Sequence, residues 1–246
     1  MILRDLAAAC ALLTRLPVGR LAAGTDPARS VWAYPVAGGL VGAVGAVAFA
    51  VARGIGLTSM LASAWTLAAL LIVTGALHED GLADFADAFA GGRTPERRLA
   101  IMRDSRIGNF GALVLLISSA VRILAVAALP TAAAAAALVV SGALGRAAML
   151  VPLLLLRPAR ADGQGAALEP APRSTAWVGV ALAAAIAFAG VAPRAAAAAI
   201  LLALLAGLGV AAMARRLIGG YTGDVFGATS VVAECLVLSL LSTGST

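Results

Sequence analysis

The sequence predicts an all-α fold: a polytopic helical membrane protein of about seven transmembrane helices with an N-terminal interfacial helix and a cytoplasmic N-terminus. Three observations carry this. Of 246 residues, 62% are hydrophobic and 12% charged, with a mean hydropathy of +1.00. An average soluble domain has about 45–50% apolar and about 25% charged residues, and so few charges cannot cover a soluble surface. Seven stretches reach the ~20 apolar residues that cross a bilayer. The arginines, finally, alternate between the two sides of those stretches with a strong bias.

Taken in order, residues 1–17 are apolar but interrupted by Arg4, Asp5 and Arg15, the pattern of an amphipathic helix lying in the interface. Spans follow at about 31–52, 57–77, 110–129, 132–156, 175–192, 195–214 and 225–242. In the first, Gly38, Gly39, Gly42 and Gly45 recur at helical spacing and allow a neighbouring helix to approach closely. Pro130-Thr131 turns the third span into the fourth, where the alanine run Ala132–Ala137 is helix filler. The Pro/Gly/Ala-rich segment Pro158–Arg173 predicts a mobile loop. One domain, 1–246, holds all of these, with a polar loop at about 78–110.

All eighteen basic residues are arginine. Fourteen flank the spans on the side of the N-terminus, against Arg53 and Arg194 on the other, while Arg122 and Arg146 lie inside spans. The positive-inside rule therefore places the N-terminus in the cytoplasm and the C-terminus outside. The net charge of +6 does not indicate nucleic acid, because no compact basic patch is interleaved with aromatics. Cys10 and Cys235 make neither a disulfide framework nor a metal spacing, and the apolar run before Cys10 is too short for a signal peptide.

Six of the twelve acids fall between Glu79 and Asp104. Asp80, Asp84 and Asp87, spaced i, i+4, i+7, share roughly a 60° arc of one helical face. Carboxylates stacked so closely raise one another's pKa unless a cation sits among them, and hard oxygen ligands suit Mg²⁺ or Mn²⁺. A solvated acidic face is the alternative, but Leu82, Ala83, Phe85 and Ala86 give the rest of the segment no polar character. Glu79 lies about 100° off the stripe and is not counted as a primary ligand. His78 begins no zinc motif, since Leu82 stands where H-E-x-x-H needs histidine, and reads as an interfacial hydrogen-bonder.

A second constellation, Arg103-Asp104-Ser105-Arg106-Ile107-Gly108-Asn109-Phe110-Gly111, precedes the third span. Arginine forks match phosphate oxygens, and glycines let backbone N–H groups approach an anion. Asp104 is a candidate ligand or base. A third, Gly219 to Gly227 with Tyr221, Thr222 and Asp224, opens the last span; it reads equally as a plain helix N-terminus or as a place for part of a phosphorylated substrate. Arg122, Arg146 and Glu234, charged and inside spans, should face the bundle interior. Arg146 lies nearer the cytoplasmic site, within reach of a substrate phosphate, and Glu234 lies at a depth from which it can pair with Arg122.

These residues resemble the cobalamin synthase (adenosylcobinamide-GDP ribazoletransferase) family nearly end to end. The resemblance is carried by Leu13-Thr14-Arg15-Leu16-Pro17, Tyr34-Pro35, His78-Glu79-Asp80-Gly81-Leu82-Ala83-Asp84, Ile101-Met102-Arg103-Asp104-Ser105-Arg106-Ile107-Gly108 and Thr222-Gly223-Asp224 with Glu234. Phe85, Ala88 and Asn109 depart from residues common in that family, and Phe85 could reshape the cleft. The resemblance implies a bacterial inner-membrane enzyme of cobalamin biosynthesis, with its site on the cytoplasmic face. The reaction joins adenosylcobinamide-GDP to α-ribazole or its 5′-phosphate, uses Mg²⁺ and releases GMP.

On that basis Asp80, Asp84 and Asp87 are expected to hold Mg²⁺, and Arg103, Arg106 and Arg146 the diphosphate. Asp104 or Asp87 is expected to act on the ribazole 3′-hydroxyl. Ser105, Asn109, Tyr221, Thr222 and Asp224 are further candidates for substrate contact. Homo-oligomers and association with other cobalamin-pathway enzymes stay open. Two rivals are a CDP-alcohol phosphotransferase, whose aspartate motif has a longer final gap, and a transporter, which should concentrate polar groups near the midplane.

Overall fold

The computed structural model describes residues 1–104, 106–169 and 171–243. Among these the regular structure is helical. An N-terminal helix α1 (Ile2–Leu13) and one turn, α2 (Gly19–Ala22), lead through a 3₁₀ segment, Pro27–Ala33, into α3 (Tyr34–Gly54). Then come α4 (Ser59–Thr74), α5 (Leu77–Gly91), α6 (Pro95–Ile101), α7 (Asn109–Ala127), α8 (Thr131–Ala148) and α9 (Leu150–Leu155). The chain closes with the short α10 (Gly163–Ala166), α11 (Arg173–Gly190), α12 (Pro193–Ile218) and α13 (Gly223–Ser242).

Six segments are long and apolar enough to cross a bilayer: Pro27–Gly54, Asn109–Ala127, Thr131–Leu155, Arg173–Gly190, Pro193–Ile218 and Gly223–Ser242. They match six of the seven expected spans, and the chain is a membrane protein. The second expected span is met only by a bent helix pair, Ser59–Thr74 with Leu77–Gly91, which counted as one span would bring the number to seven. Its helix α4 has 16 residues, about 24 Å at 1.5 Å per residue, short of the ~30 Å hydrocarbon core.

The chain then bends by 90° into α5. The bend has a local cause: Gly75 and Ala76 are both left-handed, at φ 63° and 54°. A side chain on Gly75 would also collide with Arg15. The acidic segment is thus not a peripheral loop but a helix of its own, outside the six spans and packed between α13 and α7.

The glycines of the first span do what their spacing suggests. Gly38 and Gly42 of α3 lie directly on the backbone of α8 at Gly142 and Leu138, where no Cβ would fit. Helix α1 packs its inner face, with Asp5, Ala9, Cys10 and Leu13 buried, against the 3₁₀ segment and α3, and Asp5 accepts a hydrogen bond from Trp32 Nε1 at 3.3 Å. The segment Pro158–Arg173, expected to be mobile, is tied down instead. Pro158 pairs with Tyr221, Ala159 N–H donates to the Tyr221 carbonyl at 2.8 Å, and Leu168 is buried in the main core.

Candidate active site

Helix α5 owes its position to close packing against α13. A Cβ on Gly81 would stand 3.0 Å from the Asp224 backbone, and one on Gly227 would stand 2.9 Å from the His78 carbonyl oxygen. Glycine on both sides of the crossing brings the start of α13 onto the acidic face of α5. Asp224 thereby joins Asp80 and Asp84 around one cavity of about 500 Å³, which Met102, Arg103 and Asp104 also line. Asp84 is half-buried there. Desolvation, with the charges of Asp80, Asp224 and Asp87, pushes its carboxyl up to about 7.

Asp87 goes elsewhere. Its two carboxylate oxygens accept backbone N–H bonds from Gly108 at 2.7 Å and Gly111 at 2.9 Å, at the start of α7. A side chain on either glycine would strike that carboxylate. The glycines do admit an anion, as their pattern suggests, but the anion is Asp87 itself. Both oxygens of Asp87, expected as a metal ligand or base, are thus engaged by backbone, and Asp87 does not line the cavity that Asp80, Asp84 and Asp224 share.

The arginines of the second constellation are exposed and loosely engaged. Arg103 pairs with Asp162 at 2.7 Å. Arg106 donates to both oxygens of Asp104, at 2.6 Å from Nη2, and this pairing holds the Asp104 carboxyl down to about 2. While that pair persists, Asp104 is a weak base. Asn109, the exposed first residue of α7, lines neither cavity. Ser105 lies outside the described residues.

Thr222 caps α13, accepting the Val225 N–H at 3.4 Å and donating to Asp224 at 3.0 Å. Tyr221 is buried with its ring 4.9 Å from Phe226. Both hold the start of α13 in place, and only Asp224 of this group reaches the cavity.

The charges inside the spans form one buried network. Arg122 pairs with Glu79 at 2.7 Å and with Glu234 at 3.5 Å; Arg146 pairs with Glu234 and stands 3.5 Å from His78 Nδ1. The expected Arg122–Glu234 pair is present. Arg146, expected at a substrate phosphate, is instead 4% exposed among these groups; with Glu79, Arg122 and Glu234 it lines a small cavity inside the bundle and not the one that Asp84 and Asp224 share. The network fastens His78 and Glu79, the residues just before Asp80, to α7, α8 and α13. Glu79 had a signal in the sequence: two arginines and one glutamate inside the spans leave one positive charge uncompensated, and Glu79 supplies the missing carboxylate.

A second cavity, about 230 Å³, lies against the other side of Asp80 and Asp224, which line both. Arg160 contributes to it and approaches Asp224 at 3.9 Å. Neither Arg160 nor Tyr34, another lining residue, was marked by spacing or charge pattern.

Among the described residues no group of three or more acidic, histidine or cysteine side chains is placed to hold a metal ion by itself. The donors nonetheless fit Mg²⁺. That ion typically keeps several waters and takes one or two carboxylates together with substrate phosphates, and the oxygens of Asp80, Asp84 and Asp224 line one roomy cavity.

Fold and site together define an all-α integral membrane protein with a carboxylate-lined cavity where a broken helix meets its spans. The chain belongs to the CobS family, cobalamin-5-phosphate synthase, whose pattern matches residues 5–242. It is similar to proteins named adenosylcobinamide-GDP ribazoletransferase. It is 40% identical to that of Bradyrhizobium diazoefficiens, over 96% of this chain and 92% of the relative. It is 43% identical to that of Mesorhizobium japonicum, over 98% and 93%, and 41% identical to that of Azorhizobium caulinodans, over 96% and 94%. No solved structure matches the chain.

Proposed function

We propose that the protein joins adenosylcobinamide-GDP to α-ribazole or α-ribazole 5′-phosphate, the final assembly step of cobalamin, in the bacterial inner membrane with its site on the cytoplasmic face. The observation that carries this is the meeting of Asp80, Asp84 and Asp224, from two helices, around a cavity faced by Arg103 and Asp104, in a chain similar over nearly its whole length to relatives of that name. The hydroxyl oxygen of ribazole forms a bond to the cobinamide-side phosphorus. The bond from that phosphorus to the bridging oxygen breaks, and GMP leaves with the bridging oxygen.

Asp80, Asp84 and Asp224 would hold Mg²⁺, which when bound neutralises charge developing on the diphosphate. Arg103 and Arg106, each now paired with an aspartate at the surface, exchange that partner for diphosphate oxygens, which guanidinium forks match bidentately. When Arg106 turns to the substrate, Asp104 loses the bonds that keep its proton affinity low and becomes the carboxylate that takes the hydroxyl proton. The positive-inside rule supports the cytoplasmic placement.

A substrate panel tests the assignment. Purified protein in lipid vesicles with Mg²⁺ should release GMP from adenosylcobinamide-GDP plus α-ribazole, and nothing from CDP-diacylglycerol plus an alcohol. Turnover of the CDP substrate alone would make it a CDP-alcohol phosphotransferase instead.

A further inference from the structure

Residues of the second cavity carry buried polar atoms that find no partner among the described residues. Tyr34 is 1% and His78 2% exposed, and both line it. Tyr34 Oη and His78 Nε2 have no hydrogen-bond partner among the described residues, and neither has Arg160 Nη1. His78 presents its Nδ1 to Arg146, so Nε2 lies on the side of the ring away from that contact. Buried polar atoms are rarely left unpaired, and three of the seven such atoms among the described residues belong to residues of this cavity. The remaining walls, Leu13, Leu77, Met149, Leu168 and Phe226, are apolar and suit a flat hydrophobic ring.

We infer that this cavity is the subsite for the benzimidazole nucleoside. Its base lies among the apolar walls, its polar atoms meet Tyr34 Oη and His78 Nε2, and Arg160 holds a 5′-phosphate where one is present. The larger cavity is left for the diphosphate substrate. Asp80 and Asp224, common to both cavities, stand where the nucleoside hydroxyl meets the phosphorus. The segment Pro158–Arg173 thereby acquires a role, since it carries Arg160, Gly165 and Leu168 into the subsite wall. This inference rests on the transferase reading.

The test uses the full chain in lipid vesicles with α-ribazole, α-ribazole 5′-phosphate and adenosylcobinamide-GDP, and two variants. Tyr34→Phe keeps the ring and its packing and removes one hydrogen bond. It should raise the Kd and KM for α-ribazole about three- to tenfold and leave the KM for adenosylcobinamide-GDP within about twofold. Arg160→Gln should weaken the phosphorylated nucleoside about tenfold or more while changing the free nucleoside little, a ratio that partial unfolding does not produce.

Equal shifts for both substrates, or a shift for adenosylcobinamide-GDP alone, overturn the subsite. So does GMP release by the parent protein with Tyr34→Phe unchanged; the transferase reading would survive that result. Tyr34-dependent α-ribazole binding without GMP release supports the subsite and contradicts the transferase reading. A parent protein that neither binds α-ribazole nor releases GMP contradicts both.

Discussion

Replacing Gly227 by alanine probes the link between helix packing and chemistry. The added Cβ would stand 2.9 Å from the His78 carbonyl oxygen and 3.1 Å from Gly81 Cα, both backbone atoms that cannot rotate away. Ordinary contact begins at 3.4 Å, so α5 and α13 must part by about half an ångström. Overpacking of this kind costs typically about 1–3 kcal/mol of stability. The same displacement moves Asp80 and Asp84 relative to Asp224. A misplacement of about 1 Å can cost on the order of 100-fold in rate, so half of that should lower kcat/KM about tenfold or more.

Gly209→Ala in α12 is the control, because no atom lies within 4 Å of its Cβ; it should leave stability and turnover unchanged. GMP release and thermal unfolding in the same vesicles measure both effects. A Gly227→Ala protein as stable and as active as the parent would refute the argument that this crossing assembles the site.

Asp87→Asn keeps the shape but sets an amide N–H₂ against one of the two backbone N–H donors, so one bond is lost and the other loses its charge. It should destabilise the start of α7 by about 1–3 kcal/mol while Mg²⁺ affinity, read by isothermal titration, stays near that of the parent; Asp80→Asn and Asp224→Asn should each lose affinity at least tenfold. Glu234→Ala strips two buried guanidiniums of a partner and should cost about 3–5 kcal/mol in chemical unfolding, and a loss below 1 kcal/mol would contradict the network. Asp84 has a raised pKa, near 7 against an ordinary 3.8. The native state therefore holds this proton more tightly than the unfolded state, and without metal stability should fall as pH rises from about 3.8 to about 7. Thermal unfolding with and without Mg²⁺ reads this, because Mg²⁺ should flatten the slope and Asp84→Asn should remove it. An unchanged slope in that variant would exclude Asp84 as its origin.

Six spans were legible because apolar length alone defines them, and so was a close helix contact on α3, from the spacing of its glycines; that its partner is α8 was not. The shortening of the second span was not legible: the run over 57–77 is apolar throughout, and the break depends on two left-handed residues, of which only Gly75 carries a signal. The aspartate stripe was visible as a period, yet period alone could not separate Asp80 and Asp84 from Asp87, since the backbone N–H groups that claim Asp87 come from twenty-one and twenty-four residues further on. Arg146 was read as a phosphate ligand from its depth along the helix. Its partner Glu234 lies eighty-eight residues away, and only tertiary packing pairs them. Tyr34 and Arg160 carry no spacing signal: what distinguishes Tyr34 is a buried hydroxyl without a partner, and Arg160 is brought beside Asp224 by tertiary packing alone.

At stake is whether carboxylates of the cavity lined by Asp80, Asp84 and Asp224, together with substrate phosphate, gather a divalent cation at which a diphosphate is displaced. The most direct measurement is GMP release by the purified protein in vesicles, with adenosylcobinamide-GDP and α-ribazole, for the parent and for Asp84→Asn, each with Mg²⁺ and with excess chelator. GMP is expected from the parent with Mg²⁺ only, and none from a folded Asp84→Asn protein under either condition. Full GMP release by Asp84→Asn, or by the parent in excess chelator, would contradict it.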